Sequence, residues 1–173
     1  PFFFWFAASD AHRGWRISDD APKYEPKDMV IPPYMVDTEE TRKDLTGYYH
    51  EVSRFDHFIG LVTAELEKQG ILDNTMILVA ADNGRPFPRC KSRLYDSGIK
   101  TPWVVHYPKM IKNPSVTQSL VSVIDLSATC LELAGVKRPA FIQGRSFLPI
   151  LKNPKAQVRE VVFAEHNWHV YKN

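Results

Sequence analysis

The sequence predicts an α/β fold, in which helices cover the faces of a central sheet. Two short apolar runs without polar alternation, residues 75–81 and 103–107, predict buried strands. A long amphipathic segment, residues 37–69, precedes the first of them and predicts a helix that ends at Gly70. A second helical segment follows the strands. This alternation of strands and helices is typical of α/β domains.

Two further strands are predicted near the ends of the sequence. Residues 1–8 form an aromatic, apolar run without an initiator methionine, which we interpret as a buried strand in a fragment of a longer protein. Residues 161–164 form a last short apolar run. The Pro-rich connection at residues 14–36 is longer than most loops in compact domains, and loops of this length are often functional.

The helices are predicted from capping residues and periodicity. Asp37 is expected to cap the long helix, with Glu40 three residues later as its capping-box partner. Asp56, beside the apolar stripe of this helix, is expected to be a buried structural acid. Residues 120–134 and 147–151 predict further helices. The stripe consists of side chains spaced three or four apart: Tyr48, Val52, Phe55, Ile59, Val62 and Leu66.

Composition bounds the possible classes of function. The chain has 173 residues, 44% of them hydrophobic, which is enough for one domain with its own core. A net charge of +2 gives no overall field that favours nucleic acid or a membrane surface. No apolar run reaches the ~18–20 residues of a membrane span. Cys90 and Cys130 allow at most one disulfide.

Polar residues follow three of the predicted strands, where the ligand crevice of an α/β sheet lies. Asp82-Asn83-Gly84 combines a carboxylate with an amide oxygen, a pair that suits Ca²⁺ or Mg²⁺ better than Zn²⁺. Gly84 would allow a sharp backbone turn. The alternative is an ordinary turn, since this tripeptide is common in turns. The other two strand ends carry His12 with Arg13, and His166 with Trp168 and His169.

The order of short motifs along the chain resembles the sulfatase family. A helix ending in glycine is followed by Asn-Thr, an apolar strand, Asp-Asn-Gly, a cationic residue, Tyr-x-x-Gly, and a basic residue before proline. The resemblance covers almost the whole chain. The motifs are Asn74-Thr75, Asp82-Asn83-Gly84, Lys91, Tyr95-x-x-Gly98, Lys100-x-Pro102, Asp125-Leu126-x-x-Thr129 and Gly144-Arg145-Ser146.

The resemblance implies an alkaline-phosphatase-like α/β sandwich with a mixed, mainly parallel central sheet, incomplete at its N-terminal side. Residues 1–152 would form the C-terminal portion of the catalytic domain. Residues 153–173 would begin the smaller C-terminal subdomain. The resemblance also implies a secreted, periplasmic or lysosomal protein, and the residues of this chain do not themselves indicate the compartment.

The resemblance also implies roles for individual residues. Asp82 and Asn83 match family ligands of one Ca²⁺ ion, whereas His12 and Lys91 match family contacts to the sulfate. The family nucleophile is formylglycine, made from a Cys-x-Pro-Ser-Arg segment that does not occur here and is expected upstream. Four residues are expected to bind substrate: Arg13, Arg85, His166 and His169.

A narrower resemblance points to the heparan N-sulfatase (sulfamidase) branch, which hydrolyses the N-linked sulfate of glucosamine. It rests on Asp10-Ala11-His12-Arg13, on residues 31–38 and on Pro86-Phe87-Pro88. Lys91 departs from this branch, in which arginine is expected at that position. A single ammonium charge therefore stands where a guanidinium could donate two parallel hydrogen bonds.

Each of these residues also has a structural interpretation. The alternative for His12 is a hydrogen-bonded structural residue, for Lys91 a solvated cation of a basic loop, and for Arg13 the partner of a nearby acid. The cluster around His166 and His169 equally fits an exposed strand end. A zinc site at these two histidines lacks a third ligand nearby.

The resemblance therefore predicts a hydrolase that releases sulfate from a sulfated sugar or glycosaminoglycan fragment, with no turnover by this fragment alone. The expected partners are the sugar, the upstream part of the same protein and, through an exposed sheet edge, a second copy in a homodimer. Two alternatives stay open. One is a phosphate-transferring enzyme of the same superfamily, which has Asp-His in place of Asp82-Asn83. The other is a non-catalytic glycan-binding module.

Overall fold

The computed structural model describes residues 1–167, which divide into two compact units. The first unit consists of Pro1–Ile71 and Asn83–Lys100. The second consists of Leu72–Asp82 and the described residues from Thr101 onward. The predicted start of a C-terminal subdomain at residue 153 stays a prediction.

The first unit contains the long helix α1 and the short helix α2, and the described part of the second contains two strands and two helices. None of the described helices is both long and apolar enough to cross a membrane. Short 3-10 turns lie at Pro26–Asp28 and Leu72–Asn74. The elements are α1 (Glu39–Lys68), β1 (Ile77–Ala80), α2 (Asp96–Ile99), β2 (Trp103–His106), α3 (Asp125–Leu133) and α4 (Leu148–Lys152).

The sheet in the described residues has two antiparallel strands. β1 pairs with β2 so that Ile77 lies opposite His106 and Ala80 lies opposite Trp103. The two strands were predicted close to their observed bounds, but the predicted mixed, mainly parallel sheet is not confirmed. An unbroken apolar run indicates burial on both faces and does not encode the direction of its neighbour. In the described chain every residue of β1 is only half-buried.

The two predicted terminal strands are wrong for the structure of this chain. Residues 1–8 and 161–164 form no strand and are exposed; Trp5, for example, is 69% exposed. The rings of Phe2 and Phe4 lie 5.4 Å apart, as expected when every second residue of an extended backbone points to one side. A strand also needs a neighbour to pair its backbone N–H and C=O groups, and none of the described strands supplies one.

Helix α1 begins one residue later than predicted. Thr38 is the N-cap, because its hydroxyl oxygen accepts a hydrogen bond from the N–H of Thr41 at 3.2 Å. Asp37 instead accepts two hydrogen bonds from the guanidinium of Arg42, at 2.6 and 2.7 Å. Asp37 fits the capping pattern, but its carboxylate binds the charged Arg42 guanidinium, which is a stronger partner than a backbone N–H group.

The predicted end of α1 at Gly70 is confirmed. Gly70 has a φ of 69°, and its N–H donates to Glu67 while the N–H of Ile71 donates to Leu66. This pair of hydrogen bonds is a Schellman motif, which requires the left-handed conformation that glycine adopts without strain.

The buried face of α1 is more polar than the sequence pattern predicts. Val52 and Val62 of the predicted stripe are 40% and 39% exposed. Asp56, predicted to be buried, is exposed. Apolar periodicity identifies a face of the helix but not the stretch along it that other residues cover. The buried residues of α1 lie between positions 45 and 54 and are Leu45, Gly47, His50, Glu51 and Arg54.

Aromatic packing against α1 forms the core of the first unit. The ring of Trp15 stacks on Phe87 with centroids 6.2 Å apart and meets Tyr48 edge-on at 6.1 Å. Gly47 makes room for this indole, because a Cβ at that position would lie 2.5 Å from the Trp15 ring. The core cluster itself consists of Met29, Leu45, Phe87 and Cys90.

Two glycines close the loop at residues 83–100. The N–H of Gly84 donates to the carbonyl of Gly98 at 3.0 Å. A Cβ on Gly84 would overlap the carbonyl oxygen of Ser97, and one on Gly98 would overlap that of Arg93. Gly84 does not have a positive φ. Glycine is therefore needed here for the close approach of two backbone segments, since the backbone angles of Gly84 do not themselves require it.

In the second unit, a buried carboxylate organises the loops around α3. Asp125 is 0% exposed and accepts hydrogen bonds from the N–H of Ser122 at 2.8 Å and of Arg145 at 2.7 Å. The guanidinium of Arg159 binds both of its oxygens. Gly144 permits this arrangement, since a Cβ there would overlap the carbonyl oxygen of Ile124.

The two glycine contacts in the loop at residues 83–100 predict a specific loss of stability. We expect Gly84→Ala to lower the free energy of unfolding by about 1–3 kcal/mol, because its methyl group meets backbone that cannot move aside. Gly60→Ala is the matched control, since Gly60 lies on α1 with open space around it. The control should be stabilised by about 0.5–1 kcal/mol through helix propensity. Urea unfolding of the full-length protein measures both, and equal stability of the two variants would contradict the packing described.

Asp125 provides a second stability prediction. Asp125→Ala leaves Arg159 unpaired, and the side chain of Arg159 is only 11% exposed. We expect a loss of about 3–5 kcal/mol, the usual cost of breaking a buried ion pair from one side. Glu132→Ala on the exposed side of the same helix should change stability by less than about 0.5 kcal/mol. A thermal unfolding series of the full-length variants tests this, and a mild effect at Asp125 would exclude an organising role.

Candidate active site

The segment that carries His12 is held against α1 by buried charged side chains. The Arg54 guanidinium donates to both carboxylate oxygens of Asp10, at 2.7 and 2.8 Å. One oxygen of Glu51 accepts from the N–H of His12 at 3.0 Å, and the other accepts from the N–H of Arg16 at 2.8 Å. The side chains of Glu51 and Arg54 are 3% and 9% exposed. The backbone on both sides of His12 is therefore fixed.

His50 extends the same polar face of α1. It is 1% exposed, and its Nε2 accepts a hydrogen bond from the N–H of Ser18 at 3.0 Å. Its Nδ1 lies 3.0 Å from the carbonyl oxygen of Pro22. Because a carbonyl oxygen only accepts, Nδ1 is the donor of this second hydrogen bond. His50, Glu51 and Arg54 were not predicted from the sequence. The feature that could have pointed to them is that these polar residues lie beside the apolar stripe of α1.

The imidazole of His12 is open to solvent, unlike its backbone. Its Nδ1 lies 3.2 Å from the carbonyl oxygen of Arg13. Within residues 1–167 its Nε2 has no hydrogen-bond partner. This ring nitrogen is thus available to a ligand from outside the described chain.

Each of the three guanidinium nitrogens of Arg13 donates one hydrogen bond. It donates to both carboxylate oxygens of Asp44, at 3.0 and 2.6 Å, and its Nε donates to the carbonyl oxygen of Pro86 at 2.9 Å. It also lies 5.0 Å from the centroid of the Phe87 ring. The alternative interpretation of Arg13 as the partner of a nearby acid is confirmed. Arg13 joins the segment of His12 to the loop at residues 83–100.

The loop at residues 83–100 is also fixed through Arg85, the second predicted substrate-binding arginine. Arg85 donates to the hydroxyl of Tyr34 at 2.6 Å, and that hydroxyl lies 3.3 Å from the thiol of Cys90. The carbonyl oxygen of Arg85 accepts from the N–H of Lys91 at 3.0 Å. The Lys91 backbone is thereby anchored, whereas its half-buried side chain forms no hydrogen bond or ion pair with the described residues.

Two pKa shifts accompany this arrangement. Burial raises the pKa of Tyr34, and its hydrogen bond to Cys90 raises it further. Burial also raises the pKa of the Cys90 thiol, but hydrogen bonds from Tyr34, Ser97 and Arg85 outweigh burial and lower it overall. The Tyr34 hydroxyl also accepts from Arg85, and the Cys90 thiol donates to the carbonyl oxygen of Pro88 at 3.4 Å, so these side chains form one hydrogen-bonded chain. Cys90 and Cys130 are both free, so no disulfide contributes to the loop.

Asp82 and Asn83 are consecutive residues on either side of the division between the two units. Asp82 is exposed and Asn83 is half-buried. In the part of the chain that the structure describes, neither side chain forms a hydrogen bond or ion pair. Two oxygen donors without protein partners fit a hard cation such as Ca²⁺.

These two residues would supply only part of a calcium site. Ca²⁺ takes about 6–8 oxygen ligands. Residues 1–167 contain no group of three or more His, Cys, Asp or Glu side chains placed to hold a metal.

The last predicted substrate-binding residues are His166 and His169. The Nε2 of His166 is buried and has no partner among the described residues. His169 and the neighbouring Trp168 lie outside the described residues. A substrate-binding role for the two histidines stays a prediction.

Comparison with known proteins identifies relatives along most of the chain. The sulfatase family model matches residues 1–136. An ulvan-active sulfatase of Formosa agariphila is 34% identical over 86% of this chain, and human N-sulphoglucosamine sulphohydrolase is 32% identical over 88%. This chain spans 26% of the first protein and 37% of the second.

Solved structures agree with the sequence relatives. A protein solved in complex with its substrate D-glucosamine-2-N,6-O-disulfate is similar over 73% of this chain, with a TM-score of 0.60 and 29% identity. A phosphonate monoester hydrolase from Silicibacter pomeroyi is similar over 84%, with a TM-score of 0.58 and 27% identity. This chain covers 27% and 28% of the two structures. Both support the alkaline-phosphatase-like fold class. The chain belongs to the sulfatase family.

Proposed function

We propose that the protein containing this chain hydrolyses a sulfate ester or sulfamate of a sulfated sugar. One observation carries the proposal. In a chain of the sulfatase family, the side chains of Asp82, Asn83 and Lys91 and the Nε2 of His12 lack partners among the described residues. The backbones of His12 and Lys91 are meanwhile fixed by hydrogen bonds. Open polar groups on an anchored backbone are typical of binding and catalytic sites.

His12 and Lys91 are proposed to act on the sulfate group. The Lys91 ammonium, whose side chain has no carboxylate partner in residues 1–167, would offset the negative charge of the sulfate oxygens. The His12 imidazole would donate a hydrogen bond or a proton toward the leaving group. Arg13 and Arg85 would contribute chiefly by holding the two backbone segments, because their guanidinium groups already have protein partners.

Ca²⁺ is proposed to be held by Asp82 and Asn83, together with ligands from outside this chain. When bound, the cation would neutralise negative charge on the sulfate and on the nucleophile. By family resemblance the nucleophile would be formylglycine, which is proposed to come from outside this chain.

The proposed substrate class is a glycan of the N-sulfoglucosamine type. Two comparisons support it: the human relative is an N-sulphoglucosamine sulphohydrolase, and one similar structure holds D-glucosamine-2-N,6-O-disulfate as its substrate. The ulvan-active relative at 34% identity supports testing other sulfated sugars as well.

A second candidate is the hydrolysis of phosphonate or phosphate esters. The similarity to a phosphonate monoester hydrolase, with a TM-score of 0.58, favours it. Asn83 argues against zinc-dependent phosphoryl transfer, since an amide oxygen is a poor ligand for Zn²⁺. Phosphonate and phosphate monoesters therefore belong in the same assay.

The metal proposal predicts calcium-dependent sulfate release. The full-length protein, produced with a formylglycine-generating enzyme, should release sulfate from N-sulfoglucosamine or O-sulfated sugars with Ca²⁺ and lose this activity after chelation. Asp82→Ala should lower kcat/KM at least about 100-fold, because charge stabilisation in the transition state is lost. Ion chromatography of released sulfate measures the rate.

Asp73→Ala is the control for Asp82, since Asp73 is an exposed acid nearby in the same unit. It should retain the wild-type rate. Unchanged activity of Asp82→Ala, or release of phosphate in place of sulfate, would overturn the proposed function.

The role of Lys91 predicts a difference between two substitutions. Lys91→Ala should lower kcat/KM by about 10²–10³-fold, because a cation next to the sulfate is removed. Lys91→Arg should keep most of the activity, since arginine supplies the same charge at this position. Steady-state kinetics on the same sulfated sugar tests both. Similar rates for the alanine variant and the wild type would assign Lys91 to the solvated surface.

A further inference from the structure

We propose that Glu51 is a positioning residue for His12, with Arg54 as the side chain that secures Glu51 and Asp10 together. The inference rests on the proposed function of His12 and adds a residue pair on α1 that does not itself touch substrate. It is carried by the hydrogen bonds of the buried Glu51 carboxylate to the backbone around His12.

The first step is the use of both carboxylate oxygens. Oε2 of Glu51 accepts from the N–H of His12 at 3.0 Å, and Oε1 accepts from the N–H of Arg16 at 2.8 Å. Hydrogen bonds to an ionised carboxylate are shorter and stronger than neutral ones. Because the Glu51 side chain is only 3% exposed, water cannot readily take its place as the acceptor for these two N–H groups.

The second step is the anchoring of the residues before His12. Arg54 binds Asp10 in a bidentate pair, at 2.7 and 2.8 Å, and its Nη2 lies 3.4 Å from Oε1 of Glu51. The same guanidinium also donates to the carbonyl oxygen of Arg16. The side chain of Asp10 and the backbone of residues 12 and 16 are therefore tied to two neighbouring side chains of one helix.

The third step concerns the chemistry that position 51 requires. Two N–H donors converge on one side chain, and a carboxylate offers an acceptor oxygen to each. Glutamine has one acceptor oxygen and one NH₂ donor, so it would leave one of the two amides facing another donor. A residue that only filled space would not need two acceptors. The role of Glu51 is thus to orient the chain, and the imidazole of His12 is the open group that this orientation presents.

The central experiment compares Glu51→Gln with the control Glu67→Gln, an exposed glutamate on the same helix. In the full-length protein, Glu51→Gln should lower kcat for sulfate release by about 10–100-fold with little change in KM, since a small misplacement of a reacting group is costly. The control should match the wild type. A wild-type kcat in Glu51→Gln would overturn the positioning proposal.

A double-mutant cycle separates positioning from general destabilisation. If Glu51 acts through His12, adding Glu51→Gln to His12→Ala should change kcat less than twofold, because the group to be oriented is gone. Additive effects of the two substitutions would show that Glu51 acts elsewhere. If Glu51→Gln does not fold, Glu51→Asp takes its place in the cycle, since it keeps the charge but shortens the side chain.

A readout independent of activity keeps this proposal distinct from the proposed hydrolase function. Hydrogen–deuterium exchange of the His12 and Arg16 amides should speed up at least about tenfold in Glu51→Gln, as expected for a loss of roughly 1.4 kcal/mol of protection. The two amides should be unaffected in Glu67→Gln. A wild-type protein that releases no sulfate refutes the hydrolase function alone. Unchanged exchange in Glu51→Gln refutes the positioning role, whatever the activity.

Discussion

The buried polar face of α1 is the constraint on which the candidate active site depends. Glu51 and Arg54 are nearly inaccessible to solvent, so their charges must be satisfied by protein groups, and the groups available are the backbone and carboxylate of residues 10–16. Asp44 on the same helix engages Arg13, which in turn binds the carbonyl oxygen of Pro86. One helix thereby fixes the segment of His12 and, through Arg13, the loop of Lys91.

Several motifs that characterise the family serve structure in this chain. Gly84 and Gly98 allow two backbone segments to touch, so the spacing between Asp-Asn-Gly and Tyr-x-x-Gly reflects one closed loop. Asp125, Thr129 and Gly144 form a comparable arrangement in the second unit. Asp125 accepts from the N–H of Arg145, and Thr129 accepts from the N–H of Phe147 at 3.1 Å. Motif residues thus position the loops that carry the residues proposed to act on substrate.

The long helix and the two strands were predictable from the sequence, because apolar runs and a glycine at a helix end are local signals. The family was predictable from the order of short motifs along the chain. The antiparallel pairing of the two strands was not predictable, since the apolar run of β1 fits a parallel neighbour as well as an antiparallel one. Residues 1–8 were predicted to form a strand because an apolar run favours burial. The run does not show whether a neighbouring strand is there to pair with it. The Glu51–His12 contact joins residues 39 positions apart, and periodicity carries no information on such pairs. Arg13 binds Asp44, an acid that its local sequence does not reveal, and its predicted contact with substrate stays a prediction.

A crystal structure of the full-length protein with Ca²⁺ and a sulfated glucosamine tests the central claim most directly. The account predicts that the cation lies about 2.3–2.6 Å from oxygens of Asp82 and Asn83. It also predicts that His12 and Lys91 contact the sulfate, with the hydrogen bond from the His12 N–H to Glu51 retained. A sulfate bound elsewhere, with His12 and Lys91 both facing solvent, would contradict the account.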